Sequence, residues 1–86
     1  MQLFVISTPG HKEDSVCYYL TDLHILFTGD TLFQESIGRT DLPGGDMATL
    51  IRSLRKLTIL PDDTDIYPGH GYPTTIAHEK QCNPYL

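Results

Sequence analysis

Tryptophan is absent from this sequence, cysteine occurs twice, and lysine and arginine together number six against eleven aspartates and glutamates. Cys17 and Cys82 stand far apart with no C-x-x-C spacing, which leaves no material for a disulfide framework or a zinc ribbon. A net charge of −5, spread along the chain, provides no basic patch for nucleic acid or an anionic membrane surface. No apolar run exceeds five residues, far short of a bilayer span. The start, Met1-Gln2 and then a strand-like run, lacks the basic segment and long apolar core of a signal peptide. A reducing cytoplasm is the compartment these absences point to, with neither nucleic acid nor membrane as partner.

The 86 residues suffice for one small domain, 1–86. Chains of this size bury only a little over about 60% of their unfolded surface, so a modest stability is expected. Leu3-Phe4-Val5-Ile6 is a continuous apolar run of the kind found in strands buried on both faces, and Thr8-Pro9-Gly10 stops it. Ser15 to Leu20 alternates, with Val16, Tyr18 and Leu20 on one face and Cys17 and Tyr19 on the other. His24 to Thr28 is a third strand ended by Gly29, and the short Thr21-Asp22-Leu23 link predicts a hairpin. Thr31 to Gly45 carries no clear period and reads as a long, shaped loop.

Asp46 is the N-cap of a helix whose apolar positions are Met47, Leu50, Ile51, Leu54 and Leu57, running to about Thr58. Arg55 and Lys56 suit its C-terminus, where the helix dipole favours cations. Asp65-Ile66-Tyr67 is a short strand stopped by Pro68-Gly69, and a last helix starts near Thr74 or Thr75 and ends before Asn83-Pro84.

Three times an apolar strand enters a tight turn and then presents a metal-capable side chain: Gly10-His11, Gly29-Asp30 and Gly69-His70. Ligands set just past the ends of strands have fixed backbones, as a metal site requires. Glycine before each ligand permits a sharp turn and close packing beneath the site. Two imidazoles and a carboxylate suit zinc or iron. The separations of 19 residues (11 to 30) and 40 residues (30 to 70) mean that the fold, not one loop, would assemble the site. Each step taken singly is also ordinary turn chemistry, as Gly45-Asp46 is at the helix cap. His24 in a turn, His78 on a solvated helix face, Cys17 as a small apolar strand residue and Asp62-Asp63 as a solvated turn all read as structural.

Four segments together resemble the later motifs of metallo-β-lactamase-fold hydrolases in order and spacing. They are Thr8-Pro9-Gly10-His11, Leu26-Phe27-Thr28-Gly29-Asp30-Thr31-Leu32-Phe33, Gly38-Arg39-Thr40-Asp41-Leu42-Pro43-Gly44-Gly45-Asp46 and Tyr67-Pro68-Gly69-His70-Gly71. The likeness is strongest to the glyoxalase II-like branch, whose C-terminal end Thr74-Thr75-Ile76, Glu79-Lys80 and Asn83-Pro84-Tyr85-Leu86 also resemble. The fold this implies is α+β: an αβ/βα sandwich, of which this chain is roughly the C-terminal half, one mostly antiparallel sheet with two helices.

By that resemblance His11 binds a first metal, Asp30 bridges two, and His70 binds the second. A bridging hydroxide is the nucleophile, so Asp30 counts among the catalytic residues. The metals implied are two Zn2+, with Fe or Mn as alternatives. Arg39, where glyoxalase II carries a Lys, and Tyr72 stand where that enzyme contacts glutathione, which makes a small thioester or ester the implied substrate. Asp41 departs from a Tyr of the human-type enzymes, and His11-Lys12-Glu13-Asp14-Ser15 departs from the usual Thr-x-Gly-Ser continuation.

The family's His-x-His-x-Asp-His motif is missing, and only ten residues precede His11. The reading is therefore of a fragment without its N-terminal half, inactive alone, with exposed apolar sheet surface that favours self-association. An iron-dependent persulfide dioxygenase-like fragment is the second reading. Those enzymes share Gly-Arg-Thr-Asp but continue with Phe-Gln, unlike Leu42-Pro43-Gly44-Gly45. A non-enzymatic remnant or interaction module is the third. Lactamases proper are disfavoured, many of them carrying Cys where Asp30 stands.

Overall fold

The computed structural model describes residues 2–86. Its five-stranded sheet has the order β1-β2-β3-β6-β7, formed by β1 (Leu3–Ser7), β2 (Val16–Leu20), β3 (Ile25–Gly29), β6 (Asp65–Pro68) and β7 (Thr74–Thr75). All neighbours are antiparallel except β3 and β6, which run parallel. Two reversals from β1 to β3 and the parallel step to β6 give these three strands one direction. Their C-terminal ends therefore lie along one margin of the sheet, and these are the strands that lead into His11, Asp30 and His70.

The helix α1 (Met47–Leu57) forms as its pattern requires. Asp46 caps it by accepting from the Thr49 amide at 2.8 Å, and Arg55 and Lys56 occupy the last turn. Leu50, Leu54 and Leu57 are buried with Cys17, Tyr19, Leu26 and Ile66 of the sheet, Leu32, and Ile76 of α2 (Ile76–Cys82). Each such leucine contributes about 1.5–3 kcal/mol by leaving water. The helix is tied to the turn after β1 as well: Ser53 Oγ donates to the Pro9 carbonyl at 2.7 Å and the Asp46 amide donates to the Gly10 carbonyl at 2.8 Å. Gly10 has a φ of 141° and a side chain there would collide with Leu50, so glycine is required for the helix to pack so close.

The alternation in β2 is as the sequence predicts, with Cys17 and Tyr19 facing the core and Tyr18 facing out. On the opposite sheet face Val5, Tyr18, Phe27 and Tyr67 lie in register across four strands and are 61%, 44%, 42% and 41% exposed. That row is the apolar sheet surface expected of a half-sandwich.

Three expectations change. The β1 run is not buried on both faces: it is an edge strand whose Leu3, Phe4 and Val5 are exposed, because no described element covers it. The supposed loop from Thr31 contains a small hairpin, β4 (Leu32–Phe33) paired with β5 (Ser36–Ile37), whose two-residue strands are too short to show a period. The final helix is preceded by β7, whose Thr75 is both strand end and helix N-cap.

Candidate metal centre

The end of β3 and the end of β6 are drawn together by a register irregularity after Phe27, beyond which Gly29 pairs with Pro68. The Gly69 amide donates to the Gly29 carbonyl at 2.8 Å, and a side chain at Gly69 would press on Gly29 and on Asp30 Oδ1. Gly29 turns through a φ of 51°, conformational space that glycine enters without strain. These glycines are why Asp30 and His70 emerge side by side.

His70 Nε2 lies 3.3 Å from Asp30 Oδ1, and His11 Nε2 lies 3.9 Å from Asp30 Oδ2. The two imidazoles thus approach opposite oxygens of one carboxylate. His11 is largely buried, Asp30 half-exposed, and His70 is 80% exposed with its ring stacked on Phe33 at a centroid distance of 6.3 Å. The cleft they share, about 280 Å³, is lined by His11, Asp30, Phe33, Gly38, Arg39 and His70.

His11 Nδ1 lies 2.8 Å from the Arg39 carbonyl oxygen. A carbonyl only accepts, so Nδ1 carries a proton, and in the neutral ring the lone pair is on Nε2, the nitrogen beside Asp30. A bare nitrogen facing a carboxylate oxygen suits a cation held between them, and a histidine tied to a backbone carbonyl through its other nitrogen is the usual support of a metal ligand.

Zinc bonds of about 2.0–2.2 Å at a tetrahedral angle put two donors roughly 3.3–3.6 Å apart. The His70–Asp30 separation fits this, and the His11–Asp30 separation is a few tenths of an ångström wider. Among the described residues no three His, Cys, Asp or Glu side chains gather on one point. The three residues place one histidine beside each oxygen of the Asp30 carboxylate.

Arg39 lines the cleft but its guanidinium is engaged, Nε and Nη2 each donating at 2.8 Å to the two oxygens of Asp41. That pair holds the Asp41 carboxyl down at about 2. Tyr72 is 75% exposed and is not among the residues lining the cleft. His24 and His78 are engaged elsewhere, hydrogen-bonded with Asp63 at 2.8 Å and Glu35 at 3.2 Å. Asp62, expected to be only solvated, accepts from Lys80 at 2.9 Å.

Phe33, the wall beside His70, and Glu79, a buried carboxylate behind the hairpin, are not read as site residues from the sequence. Glu79 had a signal: Ile76, Glu79 and Asn83 are spaced three and four apart, which puts an acid on the helix face that enters the core.

The family model for the metallo-beta-lactamase superfamily matches residues 2–70. Hydroxyacylglutathione hydrolase GloC of Haemophilus influenzae is 48% identical over 83 residues, covering 95% of this chain and 39% of that protein. The B3 metallo-beta-lactamase BLEG-1 superposes with a TM-score of 0.94 at 49% identity, over 98% of this chain and 41% of that one. TTHA1623, solved in a di-iron-bound form, gives 0.95 at 42% identity over 100% and 45%. ETHE1 from Myxococcus xanthus gives 0.88 at 46% identity over 95% and 38%. The chain spans between 38% and 45% of the length of these four proteins.

Proposed function

The chain belongs to the metallo-β-lactamase superfamily, and on that premise we propose that the protein carrying it is a metal-dependent hydrolase of thioesters in the glyoxalase II-like branch. The observation that carries the reading is the Asp30 carboxylate, with His11 on one oxygen and His70 on the other. In this reading His11 and His70 would each hold one divalent ion, zinc or iron, with Asp30 a ligand in common. When bound, such ions supply Lewis acidity, making hydroxide available at neutral pH and polarising the scissile carbonyl.

The remaining steps belong to the chain's own residues. The Arg39 carbonyl keeps the His11 imidazole in the tautomer that leaves Nε2 bare. The Arg39 side chain, held by Asp41 at the lip of the cleft, would offer its remaining N–H donors to a polar group of the substrate. Tyr72, outside the cleft, meets the part of a thioester that projects beyond it. Each ion has two donors here, whereas zinc sites use three or four protein ligands. The others come from elsewhere in the protein, so the 86-residue chain alone has no hydrolase activity. Both cysteines are free thiols, which suits a cytoplasmic setting, and no helix among the described residues is long and apolar enough to cross a membrane.

The test is release of thiol from a hydroxyacylglutathione by the intact protein loaded with zinc or with iron, compared with Asp30→Asn. Thiol release that the variant loses supports the reading. The resemblance of Gly38-Arg39-Thr40-Asp41 to persulfide dioxygenases gives a second reading, oxidation of a persulfide at a single iron. Oxygen uptake with a glutathione persulfide and no thioester cleavage would select it. The likeness to BLEG-1 adds a β-lactam to the same assay, and silence in all arms would favour a non-enzymatic remnant.

A further inference from the structure

Glu79 is fully buried, and its side chain accepts hydrogen bonds from the turn of the β4–β5 hairpin, from β7 and from the residue that follows α2. Its Oε1 accepts from the Glu35 amide at 2.7 Å and from Asn83 Nδ2 at 2.9 Å, and its Oε2 accepts from Thr74 Oγ1 at 2.6 Å. Asn83 Nδ2 also reaches the Ser36 carbonyl at 3.0 Å. Glu35 lies in the two-residue turn of the β4–β5 hairpin and Ser36 opens β5 opposite Phe33; Glu35 adopts a φ of 56°, a left-handed conformation that a non-glycine residue holds only when its surroundings fix it.

The other end of the hairpin is fastened separately. Thr28 Oγ1 donates to the Leu32 carbonyl at 2.7 Å, and the Gly38 amide donates to the Thr31 carbonyl at 3.0 Å. Between the two fastenings sits Phe33, whose ring stacks on His70 at an interplanar angle of 18°. His70 is 80% exposed, and the Phe33 ring is the aromatic face it stacks on.

We propose that Glu79 is a positioning residue for His70: by clamping the hairpin tip it sets the Phe33 ring that holds the His70 imidazole against Asp30. The consequence for metal rests on the reading of His70 as a ligand. The positioning itself does not. Because the His11 side of Asp30 is supported by the Arg39 carbonyl and not by the hairpin tip, the effect is confined to the His70 side. Buried carboxylates are retained at a cost unless several donors satisfy them. Here a backbone amide, a hydroxyl and an amide side chain do so.

The test uses the intact protein, metal-free, with histidine labelled with carbon-13, and the His70 imidazole signals assigned by their loss in His70→Gln. Phe33→Leu removes the aromatic ring current and defines the displacement of those signals. Glu79→Ala is expected to reproduce at least half of it while the protein stays folded. Glu79→Gln, whose amide oxygen still accepts from the Glu35 amide, is expected to restore the wild-type position. An unchanged His70 signal in folded Glu79→Ala would overturn the proposal. If that variant does not fold, Asn83→Ala, which cuts the tie to Ser36, carries the same expectation and the same refutation.

Zinc titration then separates this from the functional reading. Glu79→Ala should weaken one of two equivalents by about tenfold, the lower end of what a supporting residue costs a ligand, with the other within about twofold. A displaced signal with both equivalents unchanged would leave the positioning standing and count against His70 as a ligand.

Discussion

Gly38 passes so close beneath Asp30 that a β-carbon there would collide with the Asp30 carbonyl oxygen. The same atom would press on the Cβ of His11. Gly38 is thus the floor on which both sides of the proposed centre rest, and backbone, unlike a flexible side chain, cannot swing aside. Gly38→Ala is expected to cost about 1–3 kcal/mol, the range for overpacking a tight site. A lower urea midpoint at unchanged slope would register it. Metal affinity should fall in the same variant, and unchanged stability and affinity would contradict the packing argument.

The Arg39–Asp41 pair gives a pH-dependent prediction. Asp41 titrates at about 2, chiefly because Arg39 hydrogen-bonds its carboxylate, with a backbone hydrogen bond contributing further. An unfolded aspartate titrates near about 3.9. Folding therefore favours the ionised form, so the pair's contribution is complete above about pH 4 and disappears as pH falls through about 2. Arg39 and Asp41 are both exposed, so the contribution is that of a surface pair. Arg39→Gln should move the Asp41 carboxyl titration, followed by NMR, upward toward the ordinary range. A titration left at about 2 would show that the backbone alone sets it.

The row of Val5, Tyr18, Phe27 and Tyr67 is an apolar stripe on a sheet face that nothing described covers, bordered by the open edge of β1. The 86-residue chain by itself is expected to self-associate, with a sedimentation coefficient that rises with concentration. Replacing Phe27 and Tyr67 by threonine should reduce that rise. A concentration-independent monomer would contradict the expectation.

Much of this arrangement is legible in the sequence, for identifiable reasons. The α1 pattern and its Asp46 cap survive intact because eleven residues offer enough turns for a period to show. The three Gly-ligand steps can be read because each joins a strand signal to a turn signal within a few residues. That His11 and His70 would take opposite oxygens of Asp30 depends on the common direction of β1, β3 and β6, which no local pattern encodes. The exposure of Leu3, Phe4 and Val5 is equally hidden, since an apolar run reads the same whether or not another layer lies above it. The β4–β5 hairpin escaped because its tip is held by Glu79 and Asn83 from the far end of the chain, and not by turn residues of its own.

In the proposed centre Asp30 would be shared between two ions, with His11 serving one and His70 the other. Metal content of the intact zinc-loaded protein, measured by mass spectrometry after dialysis, tests it directly across His11→Ala, His70→Ala and Asp30→Ala. Each histidine variant should lose one of two equivalents, and Asp30→Ala should lose both. Two equivalents retained in Asp30→Ala, or a single equivalent in the wild type that either histidine variant abolishes, would contradict it.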